Sequence, residues 1–571
     1  MNESDIAVFV TVEAVFPGAT ADEAGMRSAL KGLSRDDALF TCARLNAIVS
    51  GFGPDRSVHQ RQDQAVSMLE CPPEQLRALT DYAIRHGGPG RIMVFFRGQL
   101  LELARWVVRF CQNLPGDGET LRDPAARSAF LHAALIASQL WERWLFGSEG
   151  IRPNLDSDKQ LLQLLGAFRK NVEEGNQAAQ PGFAVSRGWL LFSRYMPAHL
   201  SQFAERFEQS TGLNLRQYFI CAFAILQRTF SDHPEQGRIF ATEYVQGETP
   251  FRETFRRFLQ LHSQTPEEWA QSLEAAPNDS GSRSLRERPV FCFARNRSII
   301  FDPTFYLDNL TTAPLFHVKS AGIPTQTVFA AFGNAFEDYA TDLLRRRFPS
   351  GSGLLHQRLR CNVKGANIEG KEFEVDAILN DVIAAVLFEI KANWIREETV
   401  LAQDPEAFLN EVRKKYGYVA DSDERGKGVA QLARSVGALM RREWAGHDQE
   451  YARVASAYPV LLVFDVRMAT PGVGRFLERE FRALLGTVPS EFFVHPLIIL
   501  TVADLEHLIS GVESLSMENF LRAYSIADPE RVRSVHNFIA TSPYLNQVRP
   551  SPILAELMDE FMAAARAELG V

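Results

Sequence analysis

The chain has 571 residues, of which 46% are hydrophobic, 11% aromatic and 23% charged; it is too long for one core, which stops growing at roughly 250–300 residues, and too apolar for a disordered chain. Its formal net charge of -9 excludes a global positive field drawing it to nucleic acid or anionic lipid, so any polyanion site must be local. Only ten of its 61 basic residues are lysines, which makes a lysine in an apolar segment informative.

The first residues, MNESDIAVFVTVEAVF, carry acids where a signal peptide carries basic residues, and no run reaches the roughly 18 apolar residues that span a bilayer. Cys42, Cys71, Cys111, Cys221, Cys292 and Cys361 are far apart with no C-x-x-C pair, the pattern of reduced thiols and not of a zinc site. A cytoplasmic protein without a membrane partner is expected.

Residues 1–275 read as a mostly α-helical region for regulation, recognition or assembly. Ser34-Arg35-Asp36-Asp37 resembles a capping box ahead of ALFTCARLNAIVS, and Gly51 can end that helix. QLLELARWVVRFC is apolar nearly all round, as a central helix would be. The run Gly87-Gly88-Pro89-Gly90 breaks the pattern before a strand-like IMVFF. Further helices are expected around 126–145, 157–175, 196–230 and 250–274, with no constant repeat period.

Residues 276–289, APNDSGSRSLRERP, pool turn-forming residues and make the linker candidate. Beyond them strand-like VFCFA, SIIFD, EFEVDAIL, IAAVLFEI, YPVLLVFDV and PLIILTV alternate with helical stretches, which predicts an α/β domain over 290–515 with lead-in strands. A helical C-terminal tail, 516–571, follows, ending in an amphipathic segment suited to a lid or a partner helix.

Within EFEVDAILNDVIAAVLFEIKA, two apolar strand-length runs meet at Asn380-Asp381, a pair suited to a tight turn. Alternation then sends Phe373, Val375, Ala377 and Leu379 one way and Glu374, Asp376 and Ile378 the other; Glu389 and Lys391 share a face opposite Val386, Phe388 and Ile390. Asp376 and Glu389 can converge across that hairpin. Charges in a buried strand cost several kcal/mol unless paired or bound to metal, and a divalent cation between two carboxylates keeps both ionised. Hard oxygen donors suit Mg2+ or Mn2+. Glu369-Gly370-Lys371 spells the same acid-x-Lys, but in a polar stretch broken by glycine.

An aspartate on one strand and Glu389-Ile390-Lys391 on the next resemble the signature hairpin of the PD-(D/E)XK nuclease superfamily, over about residues 325–515. The resemblance implies a restriction-endonuclease-like fold with a central mixed sheet. It implies that Asp376 and Glu389 hold the metal, that the Ile390 carbonyl adds an oxygen, and that Lys391 positions or activates the attacking water. Glu337 matches the acid of the family's first helix, FGNAFEDYATDLLRRRF, which the resemblance implies completes the metal site, with Gly333 one turn before it leaving room for close approach. Gln431, in GVAQLARSVGALM, resembles a glutamine that some branches place near the site, although Ser435 stands where one branch has tyrosine. Val375 replaces the proline of the motif's name.

Arg345, Arg346, Arg347, Arg358, Arg360, Lys414, Lys415, Arg425 and Lys427 flank this segment and are candidate phosphate contacts. His356 and His495 read as structural. No G-x-x-x-x-G-K-[ST] loop is present, so no intrinsic ATP use is expected. The function implied is a Mg2+-dependent endonuclease, with DNA favoured over RNA as partner. By architecture it fits an effector of restriction or antiviral defence, acting as a homodimer or with a partner protein. The alternatives are a catalytically silent nuclease-fold scaffold, an RNA-cleaving enzyme and a structure-specific resolvase acting as a dimer.

Overall fold

Short polar residues open helices in the first half where the pattern places them. Ser34 accepts from the Asp37 amide at 3.3 Å to start Arg35–Val49, and Asp22 accepts from Gly25 at 2.7 Å to start Glu23–Leu30; each satisfies an amide that a first helical turn leaves unpaired. The computed structural model describes residues 8–50, 58–88, 91–111, 116–146, 181–229, 239–240, 250–275, 282–294, 297–348, 356–366, 372–401, 404–417, 428–444, 451–511, 516–529, 531, 533–541 and 552–569. The helix expected at 157–175 and the acid-x-Lys of Glu369-Gly370-Lys371 lie outside them. The chain is mostly helical, with a mixed sheet in its C-terminal half. Among the described residues no helix is long and apolar enough to cross a membrane, and all six cysteines are free.

The central helix is Arg97–Phe110, with Leu100, Leu103, Ala104 and Val107 buried. The stretch expected at 196–230 is three helices, Met196–His199, Phe203–Thr211 and Leu215–Thr229. Gly212, at φ 68°, ends the second with its N–H on the Glu208 carbonyl, a left-handed turn that glycine tolerates.

The linker expectation needs correcting. Ser282–Glu287, half of the expected linker, is a helix with Leu285 buried. The lead-in strands Val290–Phe293 and Arg297–Ile300 pair with the earlier Ser263–Gln264 and Ile239–Phe240, not with the large sheet. Phe291, Phe293 and Ile299 close a core built mainly from buried residues between Val10 and Ala137, with Trp269 and Leu285, whereas buried residues from Ala184 to Leu226 and from Phe255 to Leu259 share a core with the sheet. Apolar burial partners from distant parts of the chain override a boundary read from local polarity. The tail also packs inward, with Leu557 and Phe561 buried in the sheet's core.

The candidate site lies in the C-terminal sheet. In chain order its parts are α1 (Thr325–Arg347), β1 (His356–Ala366), β2 (Glu372–Asp381), β3 (Ala384–Lys391), α2 (Pro405–Tyr416), α3 (Val429–Met440), β4 (Ser456–Val463), α4 (Val473–Leu485), β5 (Phe493–Val494), β6 (Ile498–Thr501) and α5 (Val502–Gly511). The strand order is β5-β4-β3-β2-β1, with β6 also on β4. β1, β2 and β3 run antiparallel, and β4 is parallel to β3, β5 and β6. α1 packs on one face through Val328, Phe332 and Phe336 against Val386, Phe388 and Val460. α2, α3 and α4 cover the other through Phe408, Leu432 and Phe476 against Ile378, Leu387 and Leu461. Coverage on both faces is why β3 reads as a continuous apolar run.

The hairpin turn is two residues later than expected. Asn380 pairs with Ala385 and Asp381 with Ala384, so the turn is Val382-Ile383, and Val382 sits at φ 64°. A β-branched residue in that region costs about 1–2 kcal/mol. The observed register sets Leu379 opposite Val386 in one core layer and Ile378 opposite Leu387 in the other; a turn at Asn380-Asp381 would keep the faces but set Leu379 opposite Val382, so what selects the later turn is which apolar partners meet and not which face they take.

Candidate active site

The β2–β3 ladder stops at Ala377 and Phe388. Beyond it the Asp376 carboxylate replaces a strand partner, its Oδ2 accepting from the Ile390 N–H at 2.6 Å. The alternation expected of β2 breaks at the same place: Val375 joins the layer of Ile378, while Ala377 and Leu379 join the other. The side chain of Phe373 is outside the described residues. On β3 the expected faces hold, with Val386, Phe388 and Ile390 in the α1 layer and Glu389 and Lys391 on the opposite side.

Asp376, Glu389 and Lys391 come together. The Lys391 ammonium is 2.5 Å from Glu389 Oε1 and 3.6 Å from Asp376 Oδ2, and it donates to the Ile390 carbonyl at 3.2 Å. One cationic nitrogen therefore stands among three of the four ligands that the resemblance implies for a metal, Asp376, Glu389 and the Ile390 carbonyl. Glu389 is 1% exposed and Asp376 7%. Burial pushes the Glu389 carboxyl up to about 8; Lys391 opposes this, and Asp376 and Glu337 add to it. Burial pulls Lys391 down, but Glu389 and Asp376 outweigh it and raise it above its ordinary value.

Glu337, on α1, feels the charges of the cluster through space. Burial raises its carboxyl to about 7, and Asp376 is the charge that adds most, the behaviour of acids crowded together. A Cβ on Gly333 would meet nothing within 4 Å, so close packing does not require that glycine. Gln431 is used otherwise: its Oε1 accepts from the Gly428 N–H at 3.0 Å and closes the first turn of α3. No described contact joins it to the acids.

The donors fit a hard divalent cation in kind: two carboxylates and a carbonyl, with Glu389 Oε1 buried and without an aligned hydrogen bond. As they stand, no three His, Cys, Asp or Glu side chains among the described residues form a metal-holding group; the ammonium supplies the positive charge instead.

No protein-family model, curated protein or solved structure matches the chain.

Three residues with no motif hold the segment after Lys391. Asp465, just past β4 and 3% exposed, accepts from the Ile395 amide at 2.6 Å and the Arg467 amide at 3.0 Å. Glu411 on α2 takes the Arg396 amide at 2.9 Å and the Thr399 hydroxyl at 2.5 Å. Tyr416 donates to the Asn393 carbonyl. The signal for Asp465 was its place at a strand end before a short helical turn, an N-cap pattern; nothing in sequence linked it to residue 395.

Of the flanking bases, Arg346 is taken by Asp342 at 3.0 Å, and Arg425 and Lys427 are outside the described residues. His495 stacks on Tyr458 at 3.6 Å, and burial lowers it to about 4, a structural role. The side chain of His356 is not among those described.

Proposed function

We propose that the C-terminal half is a metal-dependent phosphodiesterase of the PD-(D/E)XK type that cuts nucleic acid, DNA in preference to RNA. The observation that carries this is the meeting of the Asp376, Glu389 and Ile390 oxygens around one cationic nitrogen, inside an otherwise apolar sheet. Asp376, Glu389, the Ile390 carbonyl and Glu337 would hold Mg2+ or Mn2+. Such an ion supplies charge to offset the anion that develops on the attacked phosphate and lowers the pKa of bound water.

The chain's own groups do the rest. Lys391 orients a water against the scissile phosphate and offers it positive charge. Glu389 and Glu337, raised toward neutral pH, lose their protons as the pH approaches 8, where Lys391 remains charged. Asp376 keeps the Ile390 amide in place and with it the carbonyl that faces the site. Residues 1–275 would then select substrate or partner, which fits a defence effector.

Plasmid, linear DNA and RNA incubated with the purified chain, with Mg2+ or with chelator, test the reading. Metal-dependent cutting that disappears in folded Asp376→Ala and Lys391→Ala is expected. Cutting by folded Lys391→Ala at the wild-type rate would reject the mechanism. No cutting of any substrate would favour a silent scaffold in which the ammonium stands in permanently for the metal.

A further inference from the structure

β1 and β2 keep one register from Arg358 opposite Asn380 to Ala366 opposite Glu372, and a single pair drops out of it: Asn362 and Asp376, which that register sets opposite each other. Both strands change faces at this place. Leu359 and Cys361 lie on the α1 side of the sheet and Val363 on the other, just as Leu379 and Ala377 lie on the α1 side and Val375 on the other. On β1 the change is made by Asn362, at φ 54°. Glycine takes that left-handed backbone with least strain, and asparagine is among the few other residues that enter it readily. The kink is shared with the strand of Asp376, so the residue that makes it stands beside the candidate site.

The side chain kept there is polar and idle. Asn362 is exposed, and its carboxamide makes no hydrogen bond among the described residues, not even the local one by which asparagine stabilises turns. Its surroundings suit a phosphate. The thiol of the neighbouring Cys361 is close enough to Arg345 and Glu337 for both charges to act on it, and Arg345 is exposed. Of the acids on β2, Glu374 has Lys364 opposite it in the ladder, and Asp376 is the one a metal ion would offset.

We propose that Asn362 is a further substrate contact of this site, its Nδ2 donating to a backbone phosphate of the nucleic acid beside the scissile bond. This rests on the function proposed above. A carboxamide N–H fits an oxygen that has no proton to give, and a contact with the backbone carries no base preference. The rival account is that asparagine is present for its backbone alone.

Asn362→Gly separates the two, since glycine keeps the left-handed backbone and loses only the carboxamide. Fluorescein-labelled duplex DNA, single-stranded DNA and RNA are titrated with the full chain in chelator, read by anisotropy, and then cut in Mg2+. The glycine variant should melt with the wild type and bind the preferred probe about tenfold more weakly, the loss of one hydrogen bond to a charged group. In Mg2+ its KM should rise while kcat changes little. Asn362→Asp, which sets a like charge against the phosphate, should weaken binding further and gives the answer if the glycine variant does not fold. A wild type that binds but does not cut overturns the enzyme reading alone, because the chelator arm still reads the contact. Binding unchanged in a folded variant overturns the proposal, and so does a changed kcat or Mg2+ requirement at unchanged affinity, which would mean that the kink acts by placing Asp376. Failure of the wild type to bind any of the three probes overturns it as well.

Discussion

Replacing Lys391 with alanine removes the counter-charge 2.5 Å from a carboxylate that is 1% exposed, and its effect on stability should depend on pH in a defined direction. Glu389 ionises near 8 in the folded protein against 4.5 ordinarily, so the folded state holds the proton more tightly. Stability therefore falls as pH rises from the lower value to the upper one, by up to about 1.4 kcal/mol per pH step, and then levels off. Without Lys391 the folded value climbs further and the fall continues past pH 8. Below about pH 6 Glu389 is neutral in both folded proteins, and the variant loses packing, the contact with Asp376 and the bond to the Ile390 carbonyl. Above pH 8 the difference should grow toward the roughly 3–5 kcal/mol typical of a buried pair that has lost one partner. Mg2+ should recover part of it, since a ligand at a hundred times its Kd stabilises by about 2.7 kcal/mol, while cutting stays absent. Urea unfolding of both proteins from pH 5.5 to 9.5, with and without Mg2+, measures this. A difference that is flat across that range, or Mg2+ that helps the variant no more than the wild type, refutes the charge account of the site.

Mg2+ affinity of the wild type should rise between pH 6 and 8, because the ion displaces protons from Glu337 and Glu389, raised to about 7 and about 8; calorimetry in two buffers of different ionisation enthalpy reads the protons released. Asp376→Asn keeps an oxygen for the Ile390 amide, so urea unfolding should show a change within about 1 kcal/mol, while metal-dependent cutting falls at least about hundredfold. Gln431→Ala should cost about 0.5–2 kcal/mol as a lost helix cap and leave the cutting rate within a few-fold on a plasmid assay. Asp465→Ala strands the buried Ile395 and Arg467 amides, at about 1–3 kcal/mol each, and should speed hydrogen exchange over residues 392–396.

The cluster of Asp376, Glu389 and Lys391 was legible because apolar strands tolerate charge only for a reason. Glu389 and Lys391 stood out in AAVLFEIK, and period-two geometry placed them on one face. The turn was misread because Asn380-Asp381 is the better local turn, while the choice of Val382-Ile383 belongs to two core layers that local sequence does not show. Alternation failed at Asp376 for a related reason: the ladder ends there and a side chain takes over a backbone bond. The domain boundary failed because polarity marks loops and not which core a strand joins; Val290–Phe293 and Arg297–Ile300 close a sheet with segments before them. Asp465 was invisible as a clamp since the amide it ties down, that of Ile395, is 70 residues away.

Packing across that misread boundary bears on how residues 1–275 act on the site. Tyr339, two residues after Glu337 on α1, donates to Glu506 on α5 at 2.7 Å, and Arg187 of helix Pro181–Leu190 bonds both Glu506 oxygens at 3.3 and 3.2 Å. All three are buried, Arg187 at 9% exposed and the others at 1%, so the cluster holds together only while each member keeps its partners. Farther upstream Arg97 forks onto Asp302 at 2.7 and 3.1 Å, both fully buried, and Asp302 also caps the helix Pro303–Ser320 that leads into α1. Two buried ion pairs thus tie the helical region to the neighbours of α1, one to α5, which Tyr339 of α1 bonds, and one to the helix before α1. A ligand or partner that displaced the helix of Arg187 would take from Glu506 the cation that offsets its burial and leave Tyr339 tying it to α1, so that the change is passed on as a shift of α1. Because a carboxylate on that helix senses Asp376 and Lys391 directly, such a shift alters the charge balance of the site without touching its strands. A regulatory role for the first half requires no contact of its own with substrate, only that its arginines hold or release one helix.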